Sequence, residues 1–288
     1  MASPRYTSQS RSRRSNKQMR IVIMAVVLII AFVIKAYDSL SESQSASNNI
    51  PKADYTYVEA ATNHNRQIIE YEAMTVAFNS DLHIPDWVAW ELTYDESDGS
   101  VPRKYDFEVA ENVEGCALPS DYYKSGYDRG HMAPAGDMKW SETAMEQSFI
   151  LTNIAPQAGE LNSGAWKKLE EKCRARVTLT NNGEQRDSAI VIICGPVPGE
   201  KPIEYIGESS VAVPQRFFKV ILAPYAREPY SIGFVMPNGK VEGGMQKAAM
   251  SVDDVETITG YDFFSALPDS IENQIESHFN FNKWSTLH

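Results

Sequence analysis

Residues 127–138 read YDRGHMAPAGDM, placing a histidine two positions after an arginine between a glycine and a proline-containing loop. An imidazole is a proton acceptor near neutral pH. A guanidinium is a planar fork matched to phosphate oxygens. His131 and Arg129 together therefore suit cleavage of a phosphate ester. Gly130 would let the backbone approach a ligand closely, and Pro134 with Gly136 would hold the following loop on one path. Taken alone, the stretch is also explained by a loop histidine paired with Asp128 or Asp137, so a second cluster is needed.

That cluster spans residues 151–176, LTNIAPQAGELNSGAWKKLEEKCRAR. From Leu161 onward it lacks proline, is rich in Leu, Lys and Glu, and predicts a helix of about four turns, with Asn162 and Ser163 as N-cap candidates. Asn162, Trp166, Glu170 and Arg174 are four residues apart, so one broad helix face carries all four. Asn and Glu are hard oxygen donors and Arg binds phosphate, which suits Mg²⁺ and a phosphodiester on that face. The competing explanation makes Trp166 core, pairs Glu170 with Arg174, and leaves Asn162 as a cap. Each part of that explanation is ordinary. The conjunction with DRGH some thirty residues upstream is not.

The ordered motifs DRGHMAP, TNIAPQ and LNSGAWKKLE resemble the DNA/RNA non-specific endonucleases of the ββα-metal (His-Me finger) type. The similarity runs over roughly residues 70 to 280, including DWVAWELT and ETITGYDFFSALPD. The resemblance implies His131 as general base, Asn162 as the direct Mg²⁺ ligand (with Mn²⁺ as the alternative ion), and Glu170 orienting metal-bound waters. It implies phosphate contacts from Arg129, Arg174 and an upstream arginine best matched by Arg103. Asn153 of TNIAPQ matches a supporting position grouped here with the substrate-contacting residues. The implied activity is hydrolysis of DNA and RNA without regard to sequence or sugar.

The elements that must position these residues read as α+β: a central antiparallel or mixed sheet, flanking helices, and a ββα-metal motif at the active site. Strands are predicted at 73–79, 87–94, 149–153, 188–194, 216–222 and 230–236. Pro85 is expected in a turn and Asn238-Gly239 at a hairpin. Helices are expected at 141–147, after Ser251, and from Pro268 to about Phe279. Ahead of this domain, taken as 66–288, residues 1–20 carry six cations and no acid. Residues 21–37 contain the apolar run IVIMAVVLIIAFVI and are expected to form a hydrophobic helix. Residues 38–65 begin with a Ser/Asn-rich stretch expected to be a flexible tether. This pattern reads as an uncleaved signal anchor, placing the domain outside the cytoplasm on a cell membrane. Cleavage and release as a secreted or periplasmic protein is the alternative.

Charge sharpens the partner question. The first 37 residues hold seven of the 27 cations and no acid, leaving 20 cations against 38 acids, a net of −18. Phosphate neutralisation normally drives nucleic-acid affinity, so such a body excludes a DNA-coating protein and requires a local basic site. Two further readings stay open: another membrane-tethered phosphodiesterase, and a nucleic-acid-binding module without catalysis. Cys116, Cys173 and Cys194 show no CxxC spacing for a structural zinc. In an exported protein Cys173 and Cys194 could bridge.

Overall fold

Strands β4 (Ile84–Thr93), β7 (Ala189–Pro196) and β10 (Arg216–Ala223) are almost wholly buried along their length. An antiparallel sheet with that pattern must be covered on both faces. In the computed structural model, which describes residues 54–60, 65–104, 106–178, 187–226 and 228–285, it is. Val88, Trp90 and Leu92 point to one side with Ile190, Ile192, Phe217 and Ile221. The alternating set, Trp87, Ala89, Val191, Ile193, Phe218, Val220 and Leu222, points to the other. The period of two thus builds two cores from the same strands.

The sheet is seven-stranded, in the order β12-β11-β10-β7-β4-β3-β2, and every pairing in it is antiparallel. Its remaining members are β2 (Arg66–Glu70), β3 (Thr75–Asn79), β11 (Tyr230–Pro237) and β12 (Ala249–Met250). Pro85 lies within β4 opposite Phe78, where the β3–β4 register shifts, so a bulge accommodates it rather than a turn. Asn238 does not make a tight hairpin. Its side chain donates to the carbonyls of Pro156 and Pro214 and accepts from the Ala158 amide, tying this loop to the active-site segment.

Helix α1 (Tyr94–Ser97) closes β4 with a capping box from Thr93 and Glu96. A two-stranded ribbon of β5 (Asp128–His131) and β6 (Ile154–Gln157) flanks α2 (Glu142–Ser148) in sequence and leads to α3 (Lys167–Val177). This is the expected ββα unit. Strand residues expected at 149–153 instead form a 3₁₀ turn at Leu151–Asn153, with β6 beginning one residue later. A short pair, β8 (Tyr205–Ile206) and β9 (Val211–Ala212), lies between β7 and β10 in sequence.

Helix α4 (Met245–Ala248), packed on the core of Val88, Trp90 and Phe217, precedes β12, and on the second face α5 (Val252–Thr259) begins at Ser251, whose hydroxyl accepts from the Asp254 amide. Strand β13 (Tyr261–Phe263) follows, then α6 (Asp269–Glu276) and α7 (Phe281–Ser285), so the helix expected to reach Phe279 ends three residues earlier. Strand β13 pairs with β1 (Val58–Ala60), and Tyr55 and Val58 are buried against Trp87, Phe218 and Phe263. The tether assigned to 38–65 therefore already carries part of the folded body by Tyr55, because these two apolar side chains complete the second core. Residues 1–37, with the expected basic stretch and hydrophobic helix, lie outside the described residues. Among the described residues no helix is long and apolar enough to cross a membrane. All three cysteines are free thiols, so Cys173 and Cys194 are not bridged; both are buried as small apolar groups.

Candidate active site

The DRGH segment is a strand, not a loop. It pairs residue for residue with β6, Gly130 facing Ala155 and His131 facing Ile154. Gly130 serves this ribbon rather than a ligand, since a side chain there would collide with the Gln157 side chain. Beyond β5 the chain is fixed by Asn153, which is fully buried. Its amide accepts from the Ala133 N–H and donates to the carbonyls of Ala133 and Ser148, each at 2.9 Å. Asn153 thus binds protein backbone, and it does not line the cleft. Its place is behind the histidine, not against a substrate.

His131 is 8 % exposed, with Phe149 edge-on at 4.8 Å and Phe107 tilted at 5.5 Å between ring centroids. Its Nε2 is buried without a hydrogen-bond partner. Burial, reinforced by the positive charge of Arg103, pushes the imidazole down from 6.5 to about 3. The ring is therefore neutral, as a proton acceptor must be. The linkage has a definite sign. A histidine that charges in the unfolded chain but not in the fold contributes stability above pH 6.5, lost progressively as pH falls toward the folded value. Wild-type protein should lose up to about 1 kcal/mol per pH unit more than His131→Gln between pH 6 and 4, by urea denaturation. Equal slopes would show that the fold tolerates the imidazolium.

The helix bearing the second half of the site is not regular. Leu161–Trp166 form a π-helical turn broken at Gly164 (φ −102°, ψ −112°), and α3 proper starts at Lys167. The Leu161 and Asn162 amides both donate to the Ala158 carbonyl, so Asn162 is not the N-cap. Its side-chain Nδ2 donates instead to Asp128 Oδ2 at 3.0 Å. That bond orients the amide and leaves its oxygen as the donor atom available to a cation. The expected stripe is also altered. Trp166 is fully buried, tilted against Phe217, with its indole N–H on the His131 carbonyl. Lys167 takes its place on the cleft wall.

A cleft of about 300 Å³ brings together Arg103, Arg129, His131, Asn162, Glu170 and Arg174. Arg129 is held by the Pro119 carbonyl and lies over the Phe107 ring, while Arg103 lies over Phe149. Arg174 pairs with Asp137 at 2.7 Å rather than with Glu170, and Asp137 also accepts from the Trp90 indole. Gly136 leaves room for this pair, since a Cβ there would sit 2.8 Å from Arg174 Nη1. Burial pushes the half-buried Glu170 carboxyl up from 4.5 to about 7, against the pull of Lys219. A carboxylate so placed is stabilised by an added cation. The hard oxygens of Asn162 and Glu170, with room for waters beside them, fit Mg²⁺, which retains several waters and takes few protein ligands.

Lys219 is the site residue that sequence reasoning missed. It lies in β10 between Phe217 and Ile221 on the same face and is fully buried. Its Nζ sits 4.4 Å from the Trp166 ring centroid and 5.1 Å from that of Trp90. Burial lowers the tendency of this ammonium to hold its proton, but Cys194, Glu170, Cys173 and Asp137 outweigh it and raise the pKa. A lysine inside an otherwise apolar strand, FFKVIL, was the available signal.

Comparison with known proteins agrees with this geometry. The DNA/RNA non-specific endonuclease family matches over residues 52–270. The mitochondrial nuclease EXOG of Mus musculus is 36% identical over 68% of this chain and 56% of its own length. A mitochondrial nuclease of Saccharomyces cerevisiae is 33% identical over 80% of this chain and 75% of its own. A chain in the crystal structure of the EndoG/EndoGI complex superposes with a TM-score of 0.62 at 28% identity, covering 70% of this chain and 87% of that one. The match spans little more than half the length of the vertebrate EXOG relatives. These relatives overturn the expected placement on a cell membrane outside the cytoplasm and its secreted or periplasmic alternative, for they are mitochondrial proteins. A basic, acid-free N-terminus is common to export signals and organelle-targeting leaders, so that composition does not separate the two destinations. With the family match covering most of the chain and the ββα unit carrying its motif residues on one cleft, the protein belongs to the DNA/RNA non-specific endonuclease family.

Proposed function

We propose that the chain is a Mg²⁺-dependent endonuclease that hydrolyses phosphodiester bonds in DNA and RNA without sequence preference. The observation that carries the reading is the convergence of three arginines, a neutral buried histidine, an oriented amide and a carboxylate on one cleft. His131 accepts the proton of the attacking water. Arg129 and Arg174 bind the non-bridging oxygens, with Arg103 at the exposed rim, and stabilise the charge that builds on phosphorus. Asn162, oriented by Asp128, and Glu170, through ordered waters, would hold the divalent cation, which supplies further charge for the transition state and the leaving oxygen. These groups address phosphate alone, and phosphate contacts position a nucleic acid without reading bases.

The Arg- and Ser-rich, acid-free stretch 1–20 is of the type that addresses proteins to mitochondria. With the relatives' location, it supports a mitochondrial site of action. The decisive test is hydrolysis of plasmid DNA and of RNA by a chain beginning at Ile50, with EDTA as control. Absence of metal-dependent cleavage would overturn the reading. For Asn162→Ala, the Mg²⁺ concentration giving half-maximal activity should rise at least about tenfold. An unchanged titration would remove Asn162 from the ligand role.

A further inference from the structure

On the face of the sheet carrying the second core, helices α5 and α6 bring carboxylates together. Among the described residues, only Asp253, Glu256 and Glu276 place three potential metal-binding atoms within 4.8 Å of one another. Crowding of acids on a surface is commonplace and means little alone. Here, however, Glu276 is 2 % exposed, and its Oε1 is buried with no hydrogen-bond partner. Glu256 is already fixed, one carboxylate oxygen accepting from the Phe263 amide at 2.8 Å. The other charges acting on Glu276 are Glu272 and Asp262, both acids. A fully buried carboxylate is normally paired or bound to a metal, and no basic group is among those acting on this one.

We infer that Asp253, Glu256 and Glu276 form a second divalent-cation site, separate from the catalytic cleft, whose three carboxylates suit Ca²⁺. Ca²⁺ takes about six to eight oxygens in flexible geometry, many of them carboxylates, whereas Mg²⁺ keeps several waters and is held by one or two carboxylates. Three carboxylates whose ligand atoms all lie within 4.8 Å of one another therefore suit Ca²⁺. Waters complete the coordination on the side of Asp253, which is exposed. The ion would tie the end of α6 to α5 and, through the Glu256 bond to Phe263, to β13 and its partner β1. Its role is structural: it clamps helix α6 and the β1–β13 pair against the second core.

The test is thermal unfolding of the full chain, without nucleic acid, titrated with CaCl₂. Wild-type protein should gain about 5 °C or more at a Ca²⁺ concentration a hundredfold above Kd. Glu276→Gln, which removes one charge at constant size, should abolish that gain. Asp253→Asn, an exposed change that leaves packing untouched, should shift the titration to about tenfold higher Ca²⁺. Asn162→Ala should leave the gain intact. The inference is overturned if Ca²⁺ gives wild type no gain, if both acid variants respond like wild type, or if Asn162→Ala alone removes the response. That last result would put the ion in the catalytic cleft. None of these readouts depends on nuclease activity, so the inference stands or falls apart from the proposed function.

Discussion

Replacing His131 by alanine lowers the rate of phosphodiester hydrolysis by about 10²–10⁴-fold, the range for loss of a positioned general base. The imidazole sits among Phe107 and Phe149, and its burial keeps it uncharged. Among the described residues Glu170 is the only carboxylate lining the cleft, and its proposed part is to hold the cation, while the other ionisable residues there are cations. The fold should survive, because Asn153 and the β5–β6 ribbon hold this segment through backbone groups that the substitution does not touch. Steady-state cleavage of plasmid DNA at saturating Mg²⁺ measures the effect, with circular dichroism as the check on folding. Near-wild-type turnover in a folded variant would remove His131 from the reaction and point to a water activated elsewhere.

The second large effect is on stability. Asp137→Ala should destabilise the protein by about 3–5 kcal/mol, the range for breaking a buried ion pair from one side. Asp137 is 1 % exposed and accepts from both Arg174 and the Trp90 indole. Its removal leaves the buried Trp90 indole N–H unsatisfied in the core and the Arg174 guanidinium unpaired at the cleft wall. Against a typical total stability of about 5–15 kcal/mol, this is a large share. The midpoint of urea unfolding should fall with an unchanged slope. Activity should fall as well, since Arg174 loses the partner that aims it at the cleft. Asp137→Asn, which keeps an acceptor for one donor, should cost less. A loss below 1 kcal/mol for the alanine variant would mean that Arg174 re-pairs, with Glu170 as the nearest candidate.

Much of the chemistry was legible before any fold was known. His131, Arg129, Asn162, Glu170 and Arg174 carry distinctive chemistry at fixed spacing, and all five meet on one cleft. Arg103 joins them across a long loop whose spacing from DRGH no local rule determines. Asn162, Glu170 and Arg174 share the cleft as the helix spacing predicts, and Trp166 departs from it. Gly164 breaks the turn, and a π-helical segment rotates Trp166 into the core and Asn162 onto Asp128. A regular period of 3.6 residues cannot anticipate an inserted wide turn.

By itself, the amino-acid order determined the alternation of the central strands and which residue types could meet at a cleft. Those depend on local periodicity and on side-chain chemistry, which travel with the residues. Only the tertiary structure decided the environment of each group. It showed that His131 is held neutral by aromatic burial, that Asp137 rather than Glu170 pairs with Arg174, and that Lys219 lies beneath the site as counter-charge. It also joined β1 to β13 across some two hundred residues. Desolvation and pairing depend on which distant segments pack together, and no spacing along a chain encodes that distance directly.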